Sequence, residues 1–258
     1  MNRLSCCPVI DQLFGGGIES GVLTTVYGPP ASGKSTLCMH ACVSALREGK
    51  VVYIDTEGNF SPERFSQVGG SADPAVMDKL LQLRPASMED QAAAITSILG
   101  MSPGRIALVI VDSIVMPYRV ELTREREHGT GLYRALGKMV YNLGLLAARR
   151  DIPVLATSQV YEDFSTGKDV VVGGDVIRFG SKALLELRRD DAGDRTALLR
   201  KHRSLPERQV RFRIAAGGME GIYETAASQG TPAAEGQESV VTPDARPESG
   251  KDREELDL

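Results

Sequence analysis

The stretch GPPASGKS, residues 28–35, constrains the fold of this chain more than any other. Its pattern, G-x-x-x-x-G-K-S, belongs at the turn between a buried strand and the helix that follows, and both flanks comply. The apolar run GVLTTVYG leads in and TLCMHACVSALREG leads out. In such a loop backbone N–H groups turn inward around phosphate oxygens, Lys34 reaches the outer phosphates and Ser35 offers a hydroxyl to Mg²⁺. Gly28 and Gly33 let the backbone approach closely. Pro29 and Pro30 stiffen the loop and remove two donors, which the pattern tolerates because its x positions need not all donate. The expected nucleotide contacts are therefore Gly28, Pro29, Pro30, Ala31, Ser32, Gly33, Lys34, Ser35 and Thr36.

Apolar runs recur along the chain as VLTTVYG, KVVYIDTEG, KLLQLRP, RIALVIVDS and IPVLATSQV, each bounded by glycine, proline or charge. Such runs suit parallel strands buried on both faces. Between them lie SPERFSQVGG, SMEDQAAAITSILG, where Ser87 and Asp90 have capping-box spacing, and the long GTGLYRALGKMVYNLGLLAARR. Strand and helix alternate, so the expected class is α/β with a doubly wound, mainly parallel sheet. After Val172 the runs SKALLELRRDD, RTALLRKHRS and RQVRFRIAAGG read as strands joined by turns, an antiparallel C-terminal extension.

A chain of 258 residues accommodates one α/β domain of ordinary size, here assigned to residues 1–225. Residues 226–258 carry eight acids against three bases, a net −5 in a chain of net −4, and few large apolar residues. They are expected to form a disordered acidic tail, because such a composition cannot bury enough surface to fold alone. No apolar run reaches membrane-spanning length and no basic-then-apolar leader opens the chain, so a cytoplasmic protein without a membrane partner is expected. Cys6, Cys7, Cys38 and Cys42 lack C-x-x-C spacing and read as buried free thiols.

In doubly wound folds ligands sit outside the carboxyl ends of the strands, so the polar residues ending each run come first. Glu57 follows YID, Asp112 follows LVIV and Gln159 follows LATS. Asp112 suits a second Mg²⁺ position beside Ser35, where a carboxylate holds the ion through its water shell. Glu57 suits a base that orients or deprotonates an attacking water. Gln159, with one donor and one acceptor group and no charge, suits a reporter of whether a γ-phosphate is present.

The segments YIDTEGNFSPERF, LVIVDS, ATSQV and GGDVIRFGSKALLELRR occur in this order, and with the loop they make the chain resemble the RecA/Rad51/RadA recombinase core over roughly residues 4–222. Within that family it is most similar to the archaeal RadB paralogues, since it begins at the ATPase core without an N-terminal helical DNA-binding domain. The resemblance implies a RecA-like P-loop NTPase core, ATP and Mg²⁺ as ligands, Glu57 as the catalytic glutamate, Gln159 as the γ-phosphate sensor and Arg64 as the adenine-stacking arginine. A guanidinium plane packs well on an aromatic base.

The resemblance also implies two DNA-facing segments, both flexible by composition. YRVELTREREHGTG offers Arg119, Arg124, Arg126 and His128 to phosphates, and YEDFSTGKDVVVGG offers Lys168 with Tyr161 and Phe164 for stacking. Glu121, Glu125, Glu127, Glu162, Asp163 and Asp169 dilute both, so weak, salt-sensitive binding of single-stranded DNA is expected. In RKHRS, Lys201 and Arg203 are two apart at a strand end and so expected on one face. They resemble the trans-acting pair of RecA and KaiC-type ATPases, which implies a homo-oligomer whose neighbour supplies cations to the γ-phosphate. MNRLSCCPVIDQL has no counterpart of the family's aromatic polymerisation hook, which argues against filament growth and strand exchange. The function expected is an ATP-binding, weakly hydrolysing DNA repair and homologous recombination protein that binds DNA and modulates the archaeal RadA recombinase. The alternatives are a KaiC-like regulatory ATPase without DNA binding and a self-assembling DNA-dependent ATPase.

Overall fold

A computed structural model of the chain describes residues 2–71, 73–101, 106–124, 129–163 and 167–223. The first part holds β1 (Arg3–Leu4), α1 (Pro8–Phe14), β2 (Ile18–Glu19), β3 (Leu23–Gly28), α2 (Lys34–Leu46), β4 (Lys50–Asp55), α3 (Pro62–Gln67), α4 (Pro74–Met77), β5 (Leu80–Leu83) and α5 (Met88–Gly100). The second part holds β6 (Ile106–Asp112), α6 (Met116–Arg124), α7 (Gly129–Arg150), β7 (Val154–Asp163), β8 (Lys168–Val171), α8 (Gly174–Gly180), β9 (Ala183–Arg189), β10 (Arg195–Lys201), β11 (Arg208–Ala215) and β12 (Gly218–Gly221). Arg126, His128, Glu125, Glu127, Phe164 and the tail from residue 226 lie outside the described residues.

The sheet runs β12-β11-β10-β9-β3-β7-β6-β4-β5, with β8 paired to β7. From β9 to β5 every neighbouring pair is parallel, and β10, β11 and β12 add antiparallel. The first of the three C-terminal runs, β9, joins β3 in parallel after the short helix α8, and the antiparallel extension consists of β10, β11 and the short β12.

The apolar runs divide their side chains between the two faces by the period of two. Val51, Tyr53, Leu108, Ile110 and Leu155 pack with α1 and α2 on one face. Val52, Ile54, Val109, Val111, Val154 and Ala156 pack with α5 and α7 on the other. Burying an aliphatic side chain of this size contributes about 1.5–3 kcal/mol, and burial on both faces is why these strands read as continuous apolar runs. α7 places Leu136, Met139, Val140, Leu143, Leu146 and Ala147 in the core at helical spacing. The cap expected at Ser87 forms: its Oγ accepts from Asp90 N at 3.0 Å, while Asp90 Oδ2 accepts from Ala86 N at 3.3 Å. All four cysteines are buried free thiols.

The described parts of the two segments expected to face DNA carry regular structure. Tyr118–Arg124 belongs to α6, held by the burial of Tyr118 and by Glu121, whose Oε1 accepts from Met88 N at 2.8 Å at the start of α5. The segment after Gln159 is a β7–β8 hairpin in which Val160 pairs with Val171 and Tyr161 with Val170. Buried Val171 and Val172 anchor its return strand, and Ser158 Oγ donates to Val172 O at 3.1 Å. Tertiary burial outweighs local composition in both.

Candidate functional site

The carboxyl ends of β3, β4, β6 and β7 meet on one rim, because the parallel register sets Gly28 beside Gln159 and Asp55 beside Asp112. The phosphate loop leaves this rim between β3 and α2. Gly28 has no room for a side chain, since a Cβ there would stand 2.2 Å from Leu187 O. Gly33 takes φ +107°, which glycine adopts without steric cost. Lys34 folds back over the loop, its Nζ donating to Gly28 O at 2.9 Å and Pro29 O at 2.8 Å. Burial pushes its ammonium pKa down, and the nearby charges of Asp112 and Glu57 partly offset that.

Asp112 is buried at the end of β6 and accepts from Thr157 Oγ1 at 2.6 Å and Tyr53 OH at 3.1 Å. Burial raises its pKa, while hydrogen bonds from Thr157, Ser35 and Tyr53 lower it. The Ser35 contact brings together the two groups expected to hold the metal. Glu57 is half-buried. Its Oε1 accepts from Ser113 Oγ and from Gln159 Nε2, each at 2.8 Å, and its Oε2 accepts from Asn59 Nδ2 at 3.0 Å. Glu57 and Gln159 are thus joined by a hydrogen bond, and Asp112 and Glu57 lie near enough to Lys34 for their charges to act on it.

Sequence reasoning passed over three supporting residues. Asp55 accepts from Asn59 N at 3.0 Å, Phe60 N at 3.1 Å and Gln82 Nε2 at 3.2 Å, which closes the turn carrying Glu57. Ser113 and Thr157 orient Glu57 and Asp112. The available signal was an acid ending the apolar run YID, two residues before Glu57.

The other expected residues have these places in the chain. Arg64 lies on α3 and donates to Ala216 O at 2.9 Å, Ala215 O at 3.1 Å and Gln67 Oε1 at 2.9 Å, which ties α3 to the β11–β12 turn. Lys201 and Arg203 do not share a strand face, because β10 ends at Lys201 after a register shift. Lys201 Nζ donates to Arg178 O and Ser181 O, both at 2.8 Å, at the end of α8. Arg203 Nε donates to Glu19 Oε1 at 2.8 Å on β2. Arg119 and Arg124 are exposed on α6, and Lys168 opens β8 opposite Asp163.

The residues present fit a nucleotide with a divalent cation. Ser32 keeps a buried hydroxyl with no hydrogen-bond partner inside the loop, and Lys34 spends its donors on loop carbonyls that phosphate oxygens can replace. Ser35 and Asp112 supply the all-oxygen set that Mg²⁺ takes. Among the described residues no helix is long and apolar enough to cross a membrane.

The chain matches the family described as Rad51 over residues 4–222. It is 42% identical to the DNA repair and recombination protein RadB of Methanoculleus marisnigri, over 76% of this chain and 87% of the relative. It is 36% identical to the RadB protein of Pyrococcus furiosus, over 83% of this chain and 92% of the relative. A crystal structure of the RadB recombinase superposes with a TM-score of 0.72 at 34% identity, covering 86% of this chain and 100% of that one.

Proposed function

The chain belongs to the Rad51 family of DNA repair and recombination proteins, and from that premise we propose that it binds Mg·ATP, hydrolyses it slowly and uses the bound nucleotide to govern a modest affinity for single-stranded DNA and for the archaeal RadA recombinase. The observation that carries this reading is the hydrogen bond from Gln159 Nε2 to Glu57 Oε1 at 2.8 Å beside the phosphate loop. It couples the carboxylate suited to activating water to the strand that continues into the β7–β8 hairpin.

In this reading the loop amides and Lys34 bind the phosphates, and Ser35 with Asp112 holds the metal, which when bound neutralises charge on the phosphate oxygens. Glu57 Oε1 accepts the proton of an attacking water, or orients that water, once Ser113 and Gln159 have fixed the carboxylate. Gln159 Nε2 carries two N–H groups, so it can donate to a γ-phosphate oxygen while holding Glu57, and that second bond shifts β7 and the exposed Tyr161 two residues on. The reading as a KaiC-like regulatory ATPase without DNA leaned on Lys201 and Arg203, which here engage α8 and β2 of their own chain.

The test measures binding of a fluorescent single-stranded oligonucleotide and of RadA with ATP, ADP and no nucleotide. Both affinities should be highest with ATP. Equal affinities in all three states would remove the switch from the reading.

A further inference from the structure

We propose that Arg195 is a positioning residue for the bound nucleotide, acting on the phosphate loop from outside by fixing the Ala31–Ser32 peptide. The proposal rests on the nucleotide reading of that loop given above. Arg195 opens β10, two strands away from β3 in the sheet. Its Nε and Nη2 both donate to the Ala31 carbonyl oxygen, at 3.3 and 3.2 Å, and its Nη1 donates to Gly193 O at 2.8 Å in the β9–β10 turn.

Ala31 needs such a hold. Its φ is +59°, the left-handed region that a side-chain-bearing residue enters at a cost and keeps only where its surroundings over-determine it. Two N–H groups converging on its carbonyl supply that constraint. Because the peptide is planar and trans, an oxygen drawn outward to Arg195 turns the Ser32 N–H the opposite way. There it donates to Pro29 O at 3.3 Å, within the loop. Fixing that turn fixes the path of the loop backbone whose amides a phosphate would meet. β9 presses on the same loop, since Leu187 O fills the space beside Gly28, so β9 and β10 together form its outer wall. The nearby acid Asp194 is paired with Arg211 Nη2 at 2.9 Å.

The chemistry asks for arginine in particular. A guanidinium presents several N–H groups in one fixed plane, so it can hold Ala31 O and Gly193 O together, whereas an ammonium supplies the charge without that geometry. Lysine therefore separates orientation from electrostatics.

The test compares wild type, Arg195→Gln and Arg195→Lys in the full chain. Mg·ATP and Mg·ADP affinities are measured by calorimetry, steady-state hydrolysis across ATP concentration, and melting temperature with and without nucleotide. Both variants are expected to bind both nucleotides about tenfold more weakly. KM should rise while kcat holds within about twofold, as loss of uniform binding requires. The ligand-free melting temperature should stay near wild type, with only the nucleotide-induced rise shrinking. Unchanged affinity overturns the proposal, and so does full rescue by lysine, which would leave charge alone as the cause. A ligand-free melting temperature that falls with the affinity overturns it too, by making Arg195 a residue of the hairpin's stability. If wild type binds no Mg·ATP, the nucleotide reading fails and the proposal with it. If wild type binds and the variants bind equally well, only the proposal fails.

Discussion

The rim of strand ends and the lip made by α6 and the β7–β8 hairpin differ in where their polar side chains find partners. On the rim Lys34, Asp112, Glu57 and Gln159 are each hydrogen-bonded within the chain, Lys34 to carbonyls of its own loop and the others to groups brought close by parallel register. On the lip Arg119, Arg124 and Tyr161 face solvent, Tyr161 at 52% exposure. A rim built this way is held by its own hydrogen bonds, and those of Lys34 are the ones a phosphate would replace. In the proposed reading the contacts of the lip are made with a nucleic-acid backbone and weaken with salt. β7 belongs to both, carrying Gln159 on the rim and Tyr161 on the same face of the strand two residues later.

The largest effect should come from the rim. Lys34→Ala removes the charge that meets the outer phosphates in a site otherwise made of backbone dipoles, and Mg·ATP binding should be lost by calorimetry. Retained affinity would dissolve the contrast, since the rim would then not be the phosphate site.

Glu57→Gln is expected next in size. It keeps the shape of the side chain and one acceptor oxygen for Ser113 and Gln159, loses the acceptor for Asn59 Nδ2, and removes base and charge, so turnover should fall on the order of a hundredfold with ATP affinity nearly kept. Single-turnover rates and affinities measured on one preparation check this. Turnover equal to wild type would assign the water to another group.

For the lip, Arg119→Ala with Arg124→Ala should weaken single-stranded DNA binding several-fold whatever the sequence, and reduce the slope of log affinity on log salt by about 1–2. ATP affinity should not change. An unchanged salt slope would move the DNA path off α6.

The smallest effect belongs to the support beneath the loop. His40 on α2 accepts from Met219 N at 3.1 Å, and burial, then the Arg64 charge, hold its pKa below the ordinary value. The unfolded chain therefore takes up this proton at a higher pH than the folded one does. Stability is complete above about pH 6.5 and is lost as pH falls from there towards the folded value. Burial first, then the charges of Arg3, Arg203 and Arg208, lower the pKa of His202 against the opposing pull of Glu19, so it contributes in the same direction. His40→Gln keeps an acceptor for Met219 N, so melting curves between about pH 7 and 5 should lose part of their pH dependence. Identical slopes would show that His40 takes up its proton alike in the folded and unfolded chain.

By itself the sequence determined the class of fold, the strand–loop–helix setting of residues 28–35, and the positions of Glu57, Asp112 and Gln159 on the rim. These follow from short-range spacing: eight residues define the loop, and a polar residue ending a buried parallel strand must emerge at the carboxyl edge whatever else the chain does. Only the tertiary structure decided what depends on residues far apart in the chain. It turned Tyr118–Arg124 into helix by burying Tyr118, because a core contact outweighs polar composition. It sent Lys201 to the end of α8 and Arg203 to β2, since the strand stops between them and alternation no longer governs where the second side chain points. It also brought Arg195 to Ala31 and Arg64 to the β11–β12 turn, across separations of 164 and about 150 residues. No local pattern encodes such pairs, because a guanidinium's partner is set by which strands lie side by side in the finished sheet.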